Sequence, residues 1–263
     1  MSQGLFKWGV IASPLALWAG FVSGCASAPP PAASGQYVAL RAGCLDARTA
    51  ALIVREAEGT IEEVSDFLAL PPPQGHVTVF AFRSRLALML WLFRNCPRRW
   101  YAGAACFETH EGFHVAIPLS GEEKESLRYL RHEMAHYVIA SRFCDVPPWL
   151  DEGLAQIFET RPGEGDSAGR IRSSLARSPD WVLDGIVSIP PGRRLTRRQY
   201  EIARSVTLFI VTRFPDASGR IKGYLETVTR SRDPSVQFAE WFERAPADWE
   251  PAWREFVSRE GSR

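Results

Sequence analysis

The chain has 263 residues, 31 basic against 30 acidic side chains, a formal net charge of +1 and 46% apolar residues. That length can bury a substantial core in one large domain or two small ones, and charged residues at 23% with aromatics at 11% exclude a disordered or collagen-like chain. Near-neutrality gives no ground for a nucleic-acid partner, and none is expected.

The N-terminus reads as an address. Met1 to Lys7 carries one positive charge, and Trp8 to Val22 is an uncharged run interrupted by Pro14. It is short for a spanning helix, which needs about 20 apolar residues. It ends in small residues before Cys25, as a secretory signal does. Val22-Ser23-Gly24-Cys25 also resembles the lipobox of bacterial lipoproteins. The resemblance implies that residues 1–24 are a signal peptide, and that Cys25 is lipidated and anchors the chain to a membrane. Ala26 after the cysteine resembles the sorting signal for the outer membrane rather than the inner. Residues 25–36, rich in Pro, Ala and Ser, are expected to form a tether. The remaining Cys44, Cys96, Cys106 and Cys144 allow two disulfides in three pairings, with Cys96–Cys106 the local option, or four buried thiols.

Residues 37–160 are expected to form the main region of the mature chain, and 161–263 a helical C-terminal part of the same unit. Tyr37 to Leu40 is β-prone. Arg48 to Leu70 carries helical periodicity, weakened near Gly59 and stopped by Pro71-Pro72-Pro73. His76 to Phe82 predicts a strand, and Leu86 to Phe93, apolar throughout, a buried helix ending near Pro97. Trp100 to Glu108 and Phe113 to Leu119 predict two strands around a turn at His110-Glu111-Gly112. Ser120-Gly121-Glu122-Glu123 has the form of a capping box opening the next helix.

That helix contains His132-Glu133-Met134-Ala135-His136. Residues four apart share a helix face, so both imidazoles can reach one metal ion, with Glu133 beside them as a base for water. Leu127, Leu130, Met134 and Val138 form the apolar stripe, and the two histidines lie nearly opposite it. A second helix, opened by Pro147-Pro148, places Leu150, Leu154 and Ile157 on one face and Glu152 and Glu159 on the other. Glu152 falls sixteen positions after His136, as a third ligand, and Glu159 is positioned to accept a hydrogen bond from a ligating histidine.

HEMAH followed by PPWLDEGLAQIFE is similar to the gluzincin metallopeptidases, in particular the bacterial peptidase-MA-like family; the second segment resembles the WLNEGFA stretch of aminopeptidase-N-like enzymes. The resemblance covers residues 37 to 258. It implies an α+β zincin-like domain with a small, mostly antiparallel sheet, an active-site helix and a Glu-bearing helix. It implies one Zn²⁺ held by His132, His136 and Glu152, and hydrolysis of a peptide or protein substrate in the cell envelope, on the periplasmic side, with Glu133 as general base. The aminopeptidase GAMEN motif is absent: Gly103-Ala104-Ala105-Cys106-Phe107-Glu108 does not match it, so aminopeptidase activity is not implied. Zincins bind substrate along a sheet edge, and Phe113 to Leu119 is the candidate edge. Tyr200 is a candidate oxyanion stabiliser, with His110 and His114 as others. The alternative reading is a non-catalytic zincin-like lipoprotein acting as an envelope binding or scaffolding module.

In the tail, Tyr200, Ala203, Val206, Thr207 and Ile210 form one helical stripe. Ile221, Tyr224, Leu225 and Val228 form a second after Pro215, and the aromatics from Phe238 to Phe256 are the core of two final helices. Arg193, Arg194, Arg197 and Arg198 cluster ahead of the first tail helix.

Overall fold

The structure is a computed structural model that describes residues 31–43, 45–99, 102–119, 121–161, 182–229 and 231–260. The expected signal segment, Cys25, Cys44, Ser120 and the first residues of the tether lie outside them.

The fold is α+β, with a mixed five-stranded sheet ordered β1-β2-β3-β5-β4. The strands are β1 (Pro31–Ser34), β2 (Val38–Ala42), β3 (Val77–Phe82), β4 (Ala105–Thr109) and β5 (Gly112–Pro118). β2 and β3 are parallel, as are β3 and β5, while β1–β2 and β4–β5 are antiparallel. The expectation of a mostly antiparallel sheet is therefore corrected. The long helix α1 (Ala47–Phe67) returns the chain to the end where it started, so β2 and β3 must run in the same direction. Residues 31–34, expected within the tether, pair with β2 as an edge strand.

Strand alternation sorts side chains to two faces. Val77, Val79 and Ala81 of β3 and Val115 and Ile117 of β5 face the main core, where Ile53, Ala57, Ile61 and Val64 of α1 also pack. α1 runs unbroken through Gly59 and is opened by Asp46, whose carboxylate accepts from the Thr49 amide. Phe80, Ala105 and Ala116 face the other way, onto Leu88 and Leu92 of α2 (Arg85–Asn95). α2 is not the buried helix the sequence predicts. Only Leu88 and Leu92 are buried, while Leu86, Leu90 and Phe93 are exposed.

The β4–β5 hairpin turns through His110-Glu111, and Gly112 supplies the positive φ (108°) that the turn requires. Then comes α3 (Glu123–Ala140), the HExxH helix. Its N-cap is Glu122, with no side-chain cap, so the capping-box expectation fails by two residues. α3 packs on the α1 side of the sheet through Leu130, Met134 and Val138, all essentially fully buried. The predicted stripe is therefore real, with Leu127 half-buried at its start.

α4 (Pro148–Phe158) packs across α3 and against α6 (Arg197–Arg213). At the α4–α6 crossing, a methyl group on Gly153 would lie 2.0 Å from Thr207 Oγ1 and 2.8 Å from the Ala203 carbonyl oxygen. Only glycine allows the helices this close, which explains the Gly that follows Glu152. Beyond α5 (Leu183–Val187), α6 opens with a true capping box between Thr196 and Gln199. α7 (Ala217–Thr227), α8 (Pro234–Phe242) and α9 (Pro246–Glu260) complete the tail. Trp149 of α4 meets Tyr224 and Phe238, and Trp253 is fully buried with its indole N–H on Ser205, so the tail and α4 share one core. Among the described residues no helix is long and apolar enough to cross a membrane.

Among the described residues Cys96, Cys106 and Cys144 are free thiols, and any pairing with Cys44 lies outside them. Cys96 packs on the α2 face of the sheet and Cys106 on the α3 face, so the local Cys96–Cys106 pair does not form.

Candidate metal centre

Three side chains from two helices converge on one point. His132 and His136, one turn apart on α3, bring their Nε2 atoms to 3.2 Å from each other. Glu152 of α4 places its Oε2 at 3.4 Å from His132 Nε2 and 3.5 Å from His136 Nε2. A tetrahedral zinc with bonds of about 2.0–2.1 Å separates its ligand atoms by about 3.3–3.4 Å, so this triangle has the dimensions of one face of such a site. Glu152 Oε2 is buried and accepts no hydrogen bond from the described residues. A buried carboxylate oxygen left without a donor is costly, and a cation at the centre of the triangle would satisfy it. The three residues form a group that could bind a metal ion.

The remaining ring nitrogens are held by carboxylates. His132 Nδ1 lies 3.2 Å from Glu159 Oε2, the contact expected for Glu159. His136 Nδ1 lies 2.8 Å from Asp151 Oδ1, a partner that was not expected from the sequence. With each carboxylate accepting an Nδ1–H, loss of the other ring proton would turn the Nε2 lone pair into the triangle. Glu159 is itself anchored, since Arg128 donates to its Oε1 at 2.6 Å. Arg131, buried on α3, donates to the backbone oxygen of Glu159 and to Glu56 of α1, so α1, α3 and α4 are tied together beneath the site.

The electrostatics follow from this packing. Burial opposes a proton on His132, but the carboxylates of Glu152 and Glu159 outweigh it and hold its pKa at about 9. His136 is likewise raised, burial being overcome by Asp151 and Glu152. Burial would raise the carboxylates, yet the histidines pull Glu152 far below its usual range, and His132 with Arg128 pulls Glu159 down to about 2. These directions describe two histidines ready to exchange protons for a cation and carboxylates that stay ionised around them.

Glu133 is buried on α3. Its charge acts on the Cys106 thiol of β4, the Tyr200 phenol of α6 and the His132 ring. Tyr200 is half-buried in the first turn of α6. Burial and then the neighbouring Glu152 push its pKa well up, so the phenol keeps its proton. The side-chain amide of Gln156 donates to the Tyr200 carbonyl at 2.8 Å and fixes this turn against α4. His110 and His114 do not join the site. His110 is exposed at the hairpin tip, and His114 is buried on the α2 face against Phe80 and Phe107.

The proposed edge strand is also corrected. The segment Phe113 to Leu119 belongs to β5, which is hydrogen-bonded on both sides, by β3 and β4. The edge beside α3 is β4, where Arg99 donates to the Cys106 carbonyl at 2.5 Å.

Asp151 was missed because it lies 100° around α4 from Glu152, and an acidic residue there reads as solvated. Its signal was present all the same, as a second carboxylate directly beside the predicted ligand. A scan against protein-family models and a search of curated proteins found no match to this chain.

Proposed function

We propose that the chain is a zinc-dependent metallopeptidase of the gluzincin type. In this reading it is held in the bacterial cell envelope by a lipid on Cys25, at the outer membrane and facing the periplasm, and hydrolyses peptide bonds in an envelope peptide or protein. The observation that supports it most is the triangle of His132 Nε2, His136 Nε2 and Glu152 Oε2, with edges of 3.2–3.5 Å, an unsatisfied buried carboxylate oxygen and a glutamate one residue after the first histidine.

His132, His136 and Glu152 would hold the ion, with Asp151 and Glu159 orienting the two imidazoles. When bound, zinc would acidify a water and polarise the scissile carbonyl. Glu133 accepts the proton of the attacking water and passes it to the leaving nitrogen, two roles that suit one carboxylate beside the histidines. The protonated phenol of Tyr200 donates a hydrogen bond where negative charge develops on the carbonyl oxygen. β4 offers the sheet edge along which an extended substrate can align.

The test is Glu133→Gln. The variant should retain zinc and lose peptide cleavage by at least a hundredfold, in line with the contribution of a positioned base. A variant that cleaves at the native rate would remove Glu133 from the mechanism.

A further inference from the structure

α2 presents an apolar surface with no cover among the described residues. Five large hydrophobic side chains are exposed in the described structure, and three of them, Leu86 (65%), Leu90 (48%) and Phe93 (63%), lie on this one helix. At 100° per residue the three fall within a 60° sector, opposite the buried Leu88 and Leu92. The stripe is thus the outward face of a helix whose inward face is already docked on the sheet.

Charge indicates what covers it. Exposed Arg85 and Arg94 lie about 110° and 70° to either side of the stripe's centre, and exposed Arg83 and Arg99 flank the helix ends. Between Asp66 and Glu108 the sequence contains no acidic residue at all, although the whole chain balances 31 basic against 30 acidic. An apolar stripe bordered by arginines, in a stretch of sequence without acidic residues, is the composition of a helix lying in a lipid–water interface. There the apolar side chains enter the acyl boundary and the guanidinium groups stay at the headgroups. A second copy of this chain meeting the face symmetrically would oppose arginine to arginine. The uncharged run Trp8–Val22 would leave the arginines unexplained.

We infer that the outward face of α2 is a membrane-docking surface for anionic phospholipid, independent of any lipid on Cys25. It would lay the domain on the bilayer through the sheet face opposite α3, leaving the metal centre turned from the lipid. Interfacial binding of this kind needs both the buried apolar area and the flanking positive charge.

The experiment places the photo-reactive residue benzoylphenylalanine in the full chain at Leu90 or Phe93 and, as controls, at the exposed Val182 or Val236. Each protein is bound to vesicles of phosphatidylethanolamine with phosphatidylglycerol, or of phosphatidylcholine alone, and irradiated. Because all positions share one chain, tethering by the N-terminus affects them equally. The inference predicts lipid adducts at positions 90 and 93 well above the controls, and more on the anionic vesicles. Arg85→Gln and Arg94→Gln should each lower the yield about fivefold. Adducts at 90 and 93 no stronger than at 182 and 236, or adducts to protein instead of lipid, would overturn it.

Discussion

Replacing Asp151 by Ala removes the one acceptor that fixes the His136 ring, at 2.8 Å from Nδ1. The imidazole is then free to adopt the other tautomer or rotate, and its Nε2 loses the basicity lent by a carboxylate partner. Loss of such a partner typically weakens metal affinity ten- to a hundredfold, about 1.4–2.7 kcal/mol. Asp151→Asn keeps an oxygen acceptor without the charge. Hydrogen bonds to an ionised partner are about twice as strong as neutral ones, so this variant should lose only about three- to tenfold. The Asp151 side chain is 33% exposed, so neither change should unfold the protein. Competition for zinc against a chelator of known affinity reads the effect directly, with thermal melting of the chelated proteins as the folding control. Native affinity in Asp151→Ala would mean that the His136–Asp151 contact has no bearing on the metal.

Other expectations follow from the same geometry. Gly153→Ala should destabilise the protein by about 1–2 kcal/mol, since overpacking at Thr207 and the Ala203 carbonyl outweighs the better helix propensity of alanine; chemical denaturation measures it, and a stabilised variant would contradict the close α4–α6 contact. In chelator-stripped protein, the raised His132 contributes stability that is complete below its ordinary value of 6.5 and lost as pH rises through about 9. The lowered Glu159 contributes stability that is complete above 4.5 and lost as pH falls through about 2, so the stripped protein should be most stable between pH 4.5 and 6.5. Zinc must displace the histidine protons, so calorimetry near neutral pH in two buffers of different ionisation enthalpy should show proton release; equal apparent enthalpies would contradict this.

The site was more legible than the sheet. Helical spacing alone puts His132 and His136 on one face, and seven-residue spacing puts Glu152 and Glu159 on another, because both are local properties of an α-helix. Asp151 depended on the angle at which α4 crosses α3, which no local pattern encodes. The hairpin β4–β5 was visible for the same local reason, whereas the insertion of β5 beside β3 is a long-range pairing, and it moved the sheet edge from β5 to β4. For α2, the run Leu86 to Phe93 is apolar on every side, so periodicity could not say which face the sheet would cover.

Whether His132, His136 and Glu152 hold a catalytic zinc is read from the metal content of the chain purified without added metal or chelator, compared with variants in which each of the three is changed to Ala. The native chain should carry one tightly bound zinc, lost in all three variants, and cleave peptides in a way that a chelator abolishes and zinc restores. Native protein that carries no zinc and takes none up, or a Glu152→Ala variant that holds zinc as the native chain does, would contradict that assignment.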